Sequence, residues 1–145
     1  MIIPFESSHA YELLENSNNE SLRPNIEVSQ FVEDMVVPDM SFTCVTENRD
    51  LVAAGGIYLI WEGVGEAWFL GSNNLLSSPI EAVKSVKRYL NSIMKDFNLH
   101  RVQAMTLESE NDLKRWMKFL NMKEEGIMNK YCRDGRNFIR WAKVI

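Results

Sequence analysis

A long amphipathic segment between two predicted strands limits the possible folds more than any other part of the sequence. Ser78 is a suitable helix N-cap, and Pro79 is favoured at a first helical position. The helix that follows carries an apolar stripe at spacings of three and four residues, formed by Ile80, Val83, Val86, Leu90, Ile93, Met94 and Phe97. Apolar segments at Glu66–Leu70 and Arg101–Leu107 flank it. Because a helix between two strands of one sheet makes a crossover, we expect these strands to be parallel.

The other predicted strands are joined by turns too short for a crossover. Asn48–Asp50 separates two apolar segments, and Glu62–Gly65 separates the second of them from Glu66–Leu70. Such connections predict antiparallel hairpins. Two short helices, a helix starting near Ser109 or Asn111 and a C-terminal hairpin complete the pattern. The two short helices are predicted at residues 8–15 and 28–36. The first two strands are predicted at residues 41–47 and 51–61, and the strands of the C-terminal hairpin at residues 126–132 and 137–144.

Very small and very large side chains mark positions where close packing is expected. Gly55 and Gly56 lie inside the predicted strand 51–61, where glycine weakens a strand. They therefore predict a bulge or a close approach of another backbone. The segment Arg101–Leu107 shows little alternation, which predicts burial on both faces. Four tryptophans are expected in the core: Trp61, Trp68, Trp116 and Trp141.

Length and composition predict one globular domain over residues 1–145. Hydrophobic residues make up 46% and charged residues 25% of the 145, which are ordinary globular values. No apolar run approaches the ~20 residues that span a bilayer, so we expect no membrane partner. Cys44 and Cys132 match no metal or redox spacing, and we expect free buried thiols in a reducing compartment. His9 and His100 are isolated, and no metal site is predicted.

The net charge of −4 is unevenly distributed along the chain. Residues 1–50 carry ten acidic and two basic side chains, whereas residues 79–145 carry eight acidic and fourteen basic ones. A basic C-terminal half suits a ligand that carries phosphate, while the acidic half would repel a long polyanion such as duplex DNA. The alternative is that these charges form only solvent-exposed helix faces.

The element order and several residue patterns resemble the GNAT fold of acyl-CoA-dependent N-acyltransferases. The matching segments are Gly65–Leu70, the long helix from Pro79, Arg101–Leu107, the asparagine-led helix in Glu110–Met122 and the hairpin at Asn129–Gly135. The similarity covers about residues 41–145. It implies an α+β fold with a mixed, mostly antiparallel central sheet flanked by helices. A narrower similarity is to the small acetyltransferase-like, internal virion proteins of short-tailed bacteriophages.

The resemblance implies acetyl-CoA as the cofactor and no metal. Members of the family bind the pyrophosphate with backbone N–H groups of the loop before the long helix. The resemblance assigns cofactor contacts to Phe69, Leu70, Gly71, Ser77, Ser78, Ile80, Lys84 and Asn111. The loop 71–79 lacks the family's basic or glutamine start and its internal glycines, and Pro79 has no N–H donor. We therefore expect weak acyl-CoA binding; the alternative is that this loop only caps the helix.

Two candidate catalytic residues follow from the same resemblance. Family enzymes often use a glutamate on the central strands to deprotonate the attacking ammonium, and Glu66 is the candidate, with Glu62 second. Either could instead be a carboxylate of a hairpin turn in water. A tyrosine on the later helix commonly protonates the leaving thiolate, but the matching position is Met117, which cannot donate. Tyr131, in the final hairpin, is the nearest substitute in sequence.

The sequence thus predicts a degenerate, phage-type acetyltransferase-like protein that acts mainly by binding, in the host cytoplasm or the virion. The expected partners are acyl-CoA and an amine or protein, including a virion or host protein. The first alternative is an active acetyl-CoA-dependent N-acyltransferase acting on an amine. The second is a nucleic-acid-binding module, which is disfavoured because only Phe138–Lys143 interleaves aromatic and basic side chains as a stacking platform would.

Overall fold

The computed structural model describes residues 1–16, 28–72 and 80–145. They form seven strands and four helices, and every element after the first strand occurs in the predicted order. The strands are β1 (Ile2–Pro4), β2 (Ser41–Val45), β3 (Leu51–Trp61), β4 (Val64–Gly71), β5 (Arg101–Leu107), β6 (Lys123–Met128) and β7 (Phe138–Val144). The helices are α1 (Ser7–Asn16), α2 (Val28–Met35), α3 (Ile80–Asp96) and α4 (Asn111–Phe119). Predicted Pro79 lies outside the described residues.

All seven strands belong to one sheet, in the order β1-β2-β3-β4-β5-β7-β6. β4 and β5 are parallel, and every other neighbouring pair is antiparallel. The parallel pair is the one connected through α3, as a strand–helix–strand crossover requires. The predicted α+β fold with a mixed, mostly antiparallel sheet flanked by helices is therefore confirmed. No helix within the described residues is both long and apolar enough to cross a bilayer.

The sheet separates two apolar clusters, each covered by a pair of helices. The larger cluster joins α3 and α4 to the sheet and includes Leu90 and Met117, with Phe69 packed against it. The smaller cluster joins α1 and α2 to the other face and includes Trp68 and Leu70. Trp68 and Leu70 thus face opposite to Phe69, as the alternation in the sequence predicts. We call the two sides the α3/α4 face and the α1/α2 face.

The expectation that β5 is buried on both faces is wrong. Its burial alternates: Val102 and Ala104 are buried on the α3/α4 face, whereas Arg101, Gln103 and Met105 are only partly buried. The physical reason lies in the two polar members of the second set, which bond to other polar side chains on the α1/α2 face. Burial alternates along a strand that has one polar face. The sequence hides this alternation because Met105 and Leu107 are apolar but lie on the same face as Arg101 and Gln103.

The four tryptophans do not all lie in the core. Trp68 and Trp141 are buried, and Trp116 is partly buried at the edge of the larger cluster. Trp61 is 66% exposed, so its assignment to the core is wrong. It is the last residue of β3, next to the two-residue turn into β4, at one end of the sheet.

The C-terminal hairpin begins and ends its first strand earlier than predicted. β6 covers Lys123–Met128 instead of residues 126–132, and residues 129–137 form the connection to β7. Cys132 is buried in this connection in a small cluster with Leu107 and Phe138, and the Lys130 backbone N–H donates to Asn137 Oδ1 at 2.9 Å. These contacts stabilise a structured loop, which the sequence pattern had suggested to be strand. Neither cysteine forms a disulfide, and both are buried, as predicted.

The glycine pair in β3 permits a close approach of backbones. A methyl carbon on Gly56 would lie 2.6 Å from the Met40 carbonyl oxygen and 2.9 Å from Ser41 Cα. A methyl carbon on Gly55 would have more room, because its nearest atoms would be Phe42 Cζ at 3.1 Å and the Trp68 carbonyl oxygen at 3.3 Å. Of the two predicted explanations, close approach is the one observed at this pair. The irregularities of β3 pairing lie elsewhere, near its two ends.

We expect Gly56→Ala to lower the free energy of unfolding by about 2–3 kcal/mol, because a rigid backbone carbonyl occupies the space that the methyl group needs. Gly55→Ala is the matched control and should cost less, since the Phe42 ring can move by a few tenths of an ångström. Urea unfolding of the three proteins at one pH measures both values. Equal losses for the two variants would contradict the steric explanation.

Candidate active site

The pairing between the parallel strands β4 and β5 ends where both strands still continue. It covers Val64–Glu66 of β4 and Arg101–Gln103 of β5 and goes no further in the described structure. Beyond that point β4 stays paired with β3 up to Gly71, and β5 stays paired with β7 along its whole length. Because paired strands lie about 4.8 Å apart, the end of pairing means that the two strands diverge. We call the resulting opening the fork; it begins directly after Glu66 and Gln103.

Glu66 lies on the α1/α2 face at the base of the fork and is buried. Gln103 Nε2 donates to its Oε2 at 2.9 Å. Arg140 Nη1 donates to its Oε1 at 2.7 Å and to its Oε2 at 3.0 Å. A carboxylate offers about four lone-pair positions, so these three contacts leave room for one further donor. The carboxylate is thus fixed in orientation but not saturated.

The contacts of Glu66 extend into a polar network on the α1/α2 face. Gln103 accepts from Arg101 Nε at 3.0 Å, and the Arg101 guanidinium forms a two-point ion pair with Glu125 of β6. The network therefore joins β4, β5, β6 and β7, and its four charged side chains alternate in sign, with the neutral Gln103 in the middle. The network fixes the position of Glu66 through several strands. The buried Glu66 carboxylate is in direct contact with the positive charge of Arg140.

Tyr58 lies beside Glu66 on the neighbouring strand, in register with it. Burial, followed by the charge of Glu66, raises the pKa of Tyr58 above its ordinary value, with Tyr131 contributing in the same direction. A tyrosine is already protonated at neutral pH, and these effects hold the Tyr58 phenol in that form to a higher pH. Tyr131 is half-exposed and packs edge-on against Phe138, at 5.3 Å between ring centroids.

Aromatic side chains cover the α3/α4 face of the fork. The ring centroids of Phe69 on β4 and Trp116 on α4 are 5.2 Å apart. Trp116 stacks on Phe119 at 5.6 Å, and Lys87 Nζ of α3 lies 4.9 Å from the Phe119 ring centroid. Because α4 follows β5 in the chain, the Phe69–Trp116 contact connects the two sides of the fork. All three rings are only partly buried, so a ligand can reach them.

The predicted cofactor contacts are distributed over several parts of the fold. Phe69 borders the fork, while the side chain of Leu70 points into the smaller apolar cluster. Ile80 and Lys84 are exposed on the first part of α3, and Asn111 is exposed at the first position of α4. Gly71 ends β4. Ser77 and Ser78 lie outside the described residues.

The remaining predicted site residues have simple surroundings. Glu62 is exposed in the turn between β3 and β4, and Met117 is buried in the larger cluster. His9 Nδ1 accepts from the Glu6 backbone N–H and lies 2.8 Å from Thr43 Oγ1, in keeping with a local structural role. In the described residues no group of acidic, cysteine and histidine side chains could hold a metal ion.

The possible stacking platform at Phe138–Lys143 is not present. Phe138, Ile139 and Trp141 are buried, so the aromatic rings cannot stack on bases. Arg140 is bonded to Glu66, and Lys143 Nζ donates to Asn91 Oδ1 at 2.7 Å. Each face of β7 carries one aromatic and one basic residue, because Phe138 and Arg140 share one face while Trp141 and Lys143 share the other. Phe138–Lys143, the segment that suggested a nucleic-acid-binding module, therefore does not support that alternative.

Three residues of the site were missed in the sequence: Arg140, Gln103 and Tyr58. Arg140 was noted only as part of the stacking segment, and Gln103 only as part of an apolar strand. The sequence did contain a signal for Arg140 and Gln103, because each is a polar side chain inside a largely apolar strand. Such groups are rarely buried in a sheet without a polar partner.

No protein-family model and no curated protein sequence matches this chain. Solved structures do. Ard1 from Thermoplasma volcanium has a TM-score of 0.83 at 10% identity, covering 100% of this chain and 97% of that one. The GNAT-family acetyltransferase from Bacillus anthracis has 0.72 at 17% identity, covering 99% and 93%. A mutant of the spermidine N-acetyltransferase SpeG from Vibrio cholerae has 0.73 at 12% identity, covering 99% and 94%. At such identities the likeness concerns the fold, and this chain has the fold of the GNAT acetyltransferases.

Proposed function

We propose that this protein binds acyl-CoA in the fork and is an acetyltransferase-like protein over residues 1–145. The observation that carries the proposal is the early end of the β4–β5 pairing, while each strand remains paired on its outer side. An opening of this kind places the extended backbone of β4 beside a slot. The amide groups of a pantetheine arm can pair with such a backbone as an added strand would.

We propose further that the protein acts mainly by binding. Both oxygens of Glu66 already accept hydrogen bonds, which leaves one lone-pair position for an incoming ammonium. At the position of the expected tyrosine, Met117 is buried among apolar side chains. The loop 71–79 lacks the glycines that let a backbone wrap around phosphates. The first two features weaken turnover more than occupancy of the fork, whereas the third weakens the binding of the phosphates.

The narrower resemblance of residues 41–145 extends this proposal to a biological setting. A degenerate acetyltransferase-like protein of a short-tailed bacteriophage would have a virion or host protein as its partner. It would be located in the host cytoplasm or in the virion. Mass spectrometry of purified particles from a phage that encodes this chain would test this part separately from ligand binding.

We expect acetyl-CoA to bind with a dissociation constant nearer ~1 mM than ~1 μM, a difference worth about 4 kcal/mol. The reason is that attraction by Lys84 and its basic neighbours on α3 replaces close backbone contacts with the phosphates. Affinity should therefore fall as salt rises, since exposed charges are screened. Titration calorimetry at 50 mM and 500 mM NaCl measures both. Micromolar affinity that is independent of salt would contradict this account.

Active N-acyl transfer to an amine is the second candidate, and one observation favours it. Glu66 lies at the base of the fork and retains a lone-pair position for one more donor. An assay of thiol release from acetyl-CoA with mixed amines tests it, and Glu66→Gln is the first variant to compare. Amine-dependent release that is lost in Glu66→Gln would make the enzyme the better description.

A further inference from the structure

The indole N–H of Trp116 makes no hydrogen bond within the described structure. Its Nε1 atom is buried, although other parts of the ring remain accessible. Trp141 provides the contrast, because its Nε1 donates to Thr106 Oγ1 at 2.9 Å. A buried donor without an acceptor costs free energy, and native structures contain few of them. The Trp116 N–H therefore requires an explanation that Trp141 does not.

The surroundings of Trp116 place this donor beside the fork. Its ring contacts Phe69, which lies on β4 three residues beyond the last residue paired with β5. Its other face stacks on Phe119. Because Trp116 belongs to α4 and Phe69 to β4, their contact lies on the α3/α4 side of the fork. A ligand that fills the fork on this face would bring an acceptor atom to this N–H once the side chains that cover Nε1 move aside.

We propose that Trp116 is a cofactor-binding residue whose Nε1–H donates to an amide carbonyl of the pantetheine arm of acyl-CoA. This inference rests on the proposed acyl-CoA binding in the fork. The chemistry selects the amide over a phosphate, because the donor is neutral and its ring neighbours are apolar. A cation lies nearby at Phe119, where Lys87 Nζ sits over the ring. A phosphate would be better served there.

Trp116→Phe tests the donor, since it keeps an aromatic ring and removes only the N–H group and part of the indole. We expect it to weaken acetyl-CoA binding about fivefold, the usual effect of one neutral hydrogen bond. Its midpoint of thermal unfolding should stay close to that of the wild type. Trp141→Phe is the matched control: it should lower the midpoint, because Thr106 loses its partner, and leave the affinity unchanged.

The indole N–H signals in a ¹H–¹⁵N spectrum provide a readout that a purely structural role would not move. Acetyl-CoA and free pantetheine should each shift the Trp116 indole proton downfield, whereas ADP alone should leave it in place. Through-bond assignment identifies the signal even if the Trp116→Phe variant does not fold.

The outcomes separate this inference from the proposal beneath it. Binding of acetyl-CoA with an unmoved Trp116 signal, or with equal affinity in Trp116→Phe, overturns the inference and leaves binding in the fork standing. A shift caused by ADP alone overturns the assignment to pantetheine. Absence of any spectral change with 10 mM acetyl-CoA overturns both.

Discussion

Arg140→Met is expected to lower the free energy of unfolding by about 3 kcal/mol. The substitution leaves the carboxylate of Glu66 buried in the sheet with Gln103 as its remaining partner. An uncompensated buried charge is among the most costly single changes, because the carboxylate has lost its water as well as its counter-ion. Urea unfolding at pH 7 followed by far-UV circular dichroism measures the loss.

Two comparisons define the origin of that loss. Arg115→Met removes the ion pair between Arg115 and Asp112. Both of these side chains are largely exposed, so we expect a change below about 0.5 kcal/mol. The double variant Glu66→Met with Arg140→Met should recover most of the stability, since no charge then remains buried. A loss in Arg140→Met as small as that in Arg115→Met would contradict the buried-charge explanation.

Trp141→Ala should destabilise the protein by about 4 kcal/mol. Trp141 is 2% exposed, lies in the larger apolar cluster, and its N–H is bonded to Thr106. Its removal leaves a large cavity in a central strand and an unsatisfied hydroxyl, and both effects lower stability. The shift in the urea midpoint at constant slope gives the value.

Trp61→Ala is the matched control for this change. It removes the same side chain from a position that is 66% exposed, so the expected loss is below about 0.5 kcal/mol. A large loss at Trp61 would mean that its ring is covered in solution, for example by a second protein. Comparable effects at both positions would contradict the burial that the structure assigns to them.

The elements that follow from one-dimensional patterns could be predicted from the sequence. The stripe on α3 and the alternation on β4 are properties of consecutive residues, and each fixes which side chains face the core. The parallel pairing of β4 with β5 then follows from the single long crossover between them. Trp61 shows the limit of this reasoning, because residue type and strand pattern do not reveal that the last residue of β3 is exposed.

The polar network could not be predicted in the same way. Glu66 lies 37 residues from Gln103 and 74 residues from Arg140 along the chain. These side chains meet only because β5 and β7 are neighbours in the sheet, and β7 is placed there by the final hairpin. Glu66 was identified through a family resemblance, whereas its partners required the strand order. Its role in proton transfer stays a prediction, as do the cofactor contacts.

The short seam between β4 and β5 divides the hydrogen-bonded framework into two units. One contains β1–β4, and the other contains β5–β7; three residue pairs join them. The two units share α3 as a common cover, since its apolar side chains pack in one cluster with residues of both. Local opening of a protein follows such boundaries, so the seam is a natural hinge. A ligand in the fork would contact both units and hold them together. Part of its binding energy would then appear as slower amide hydrogen exchange in the strands of both units.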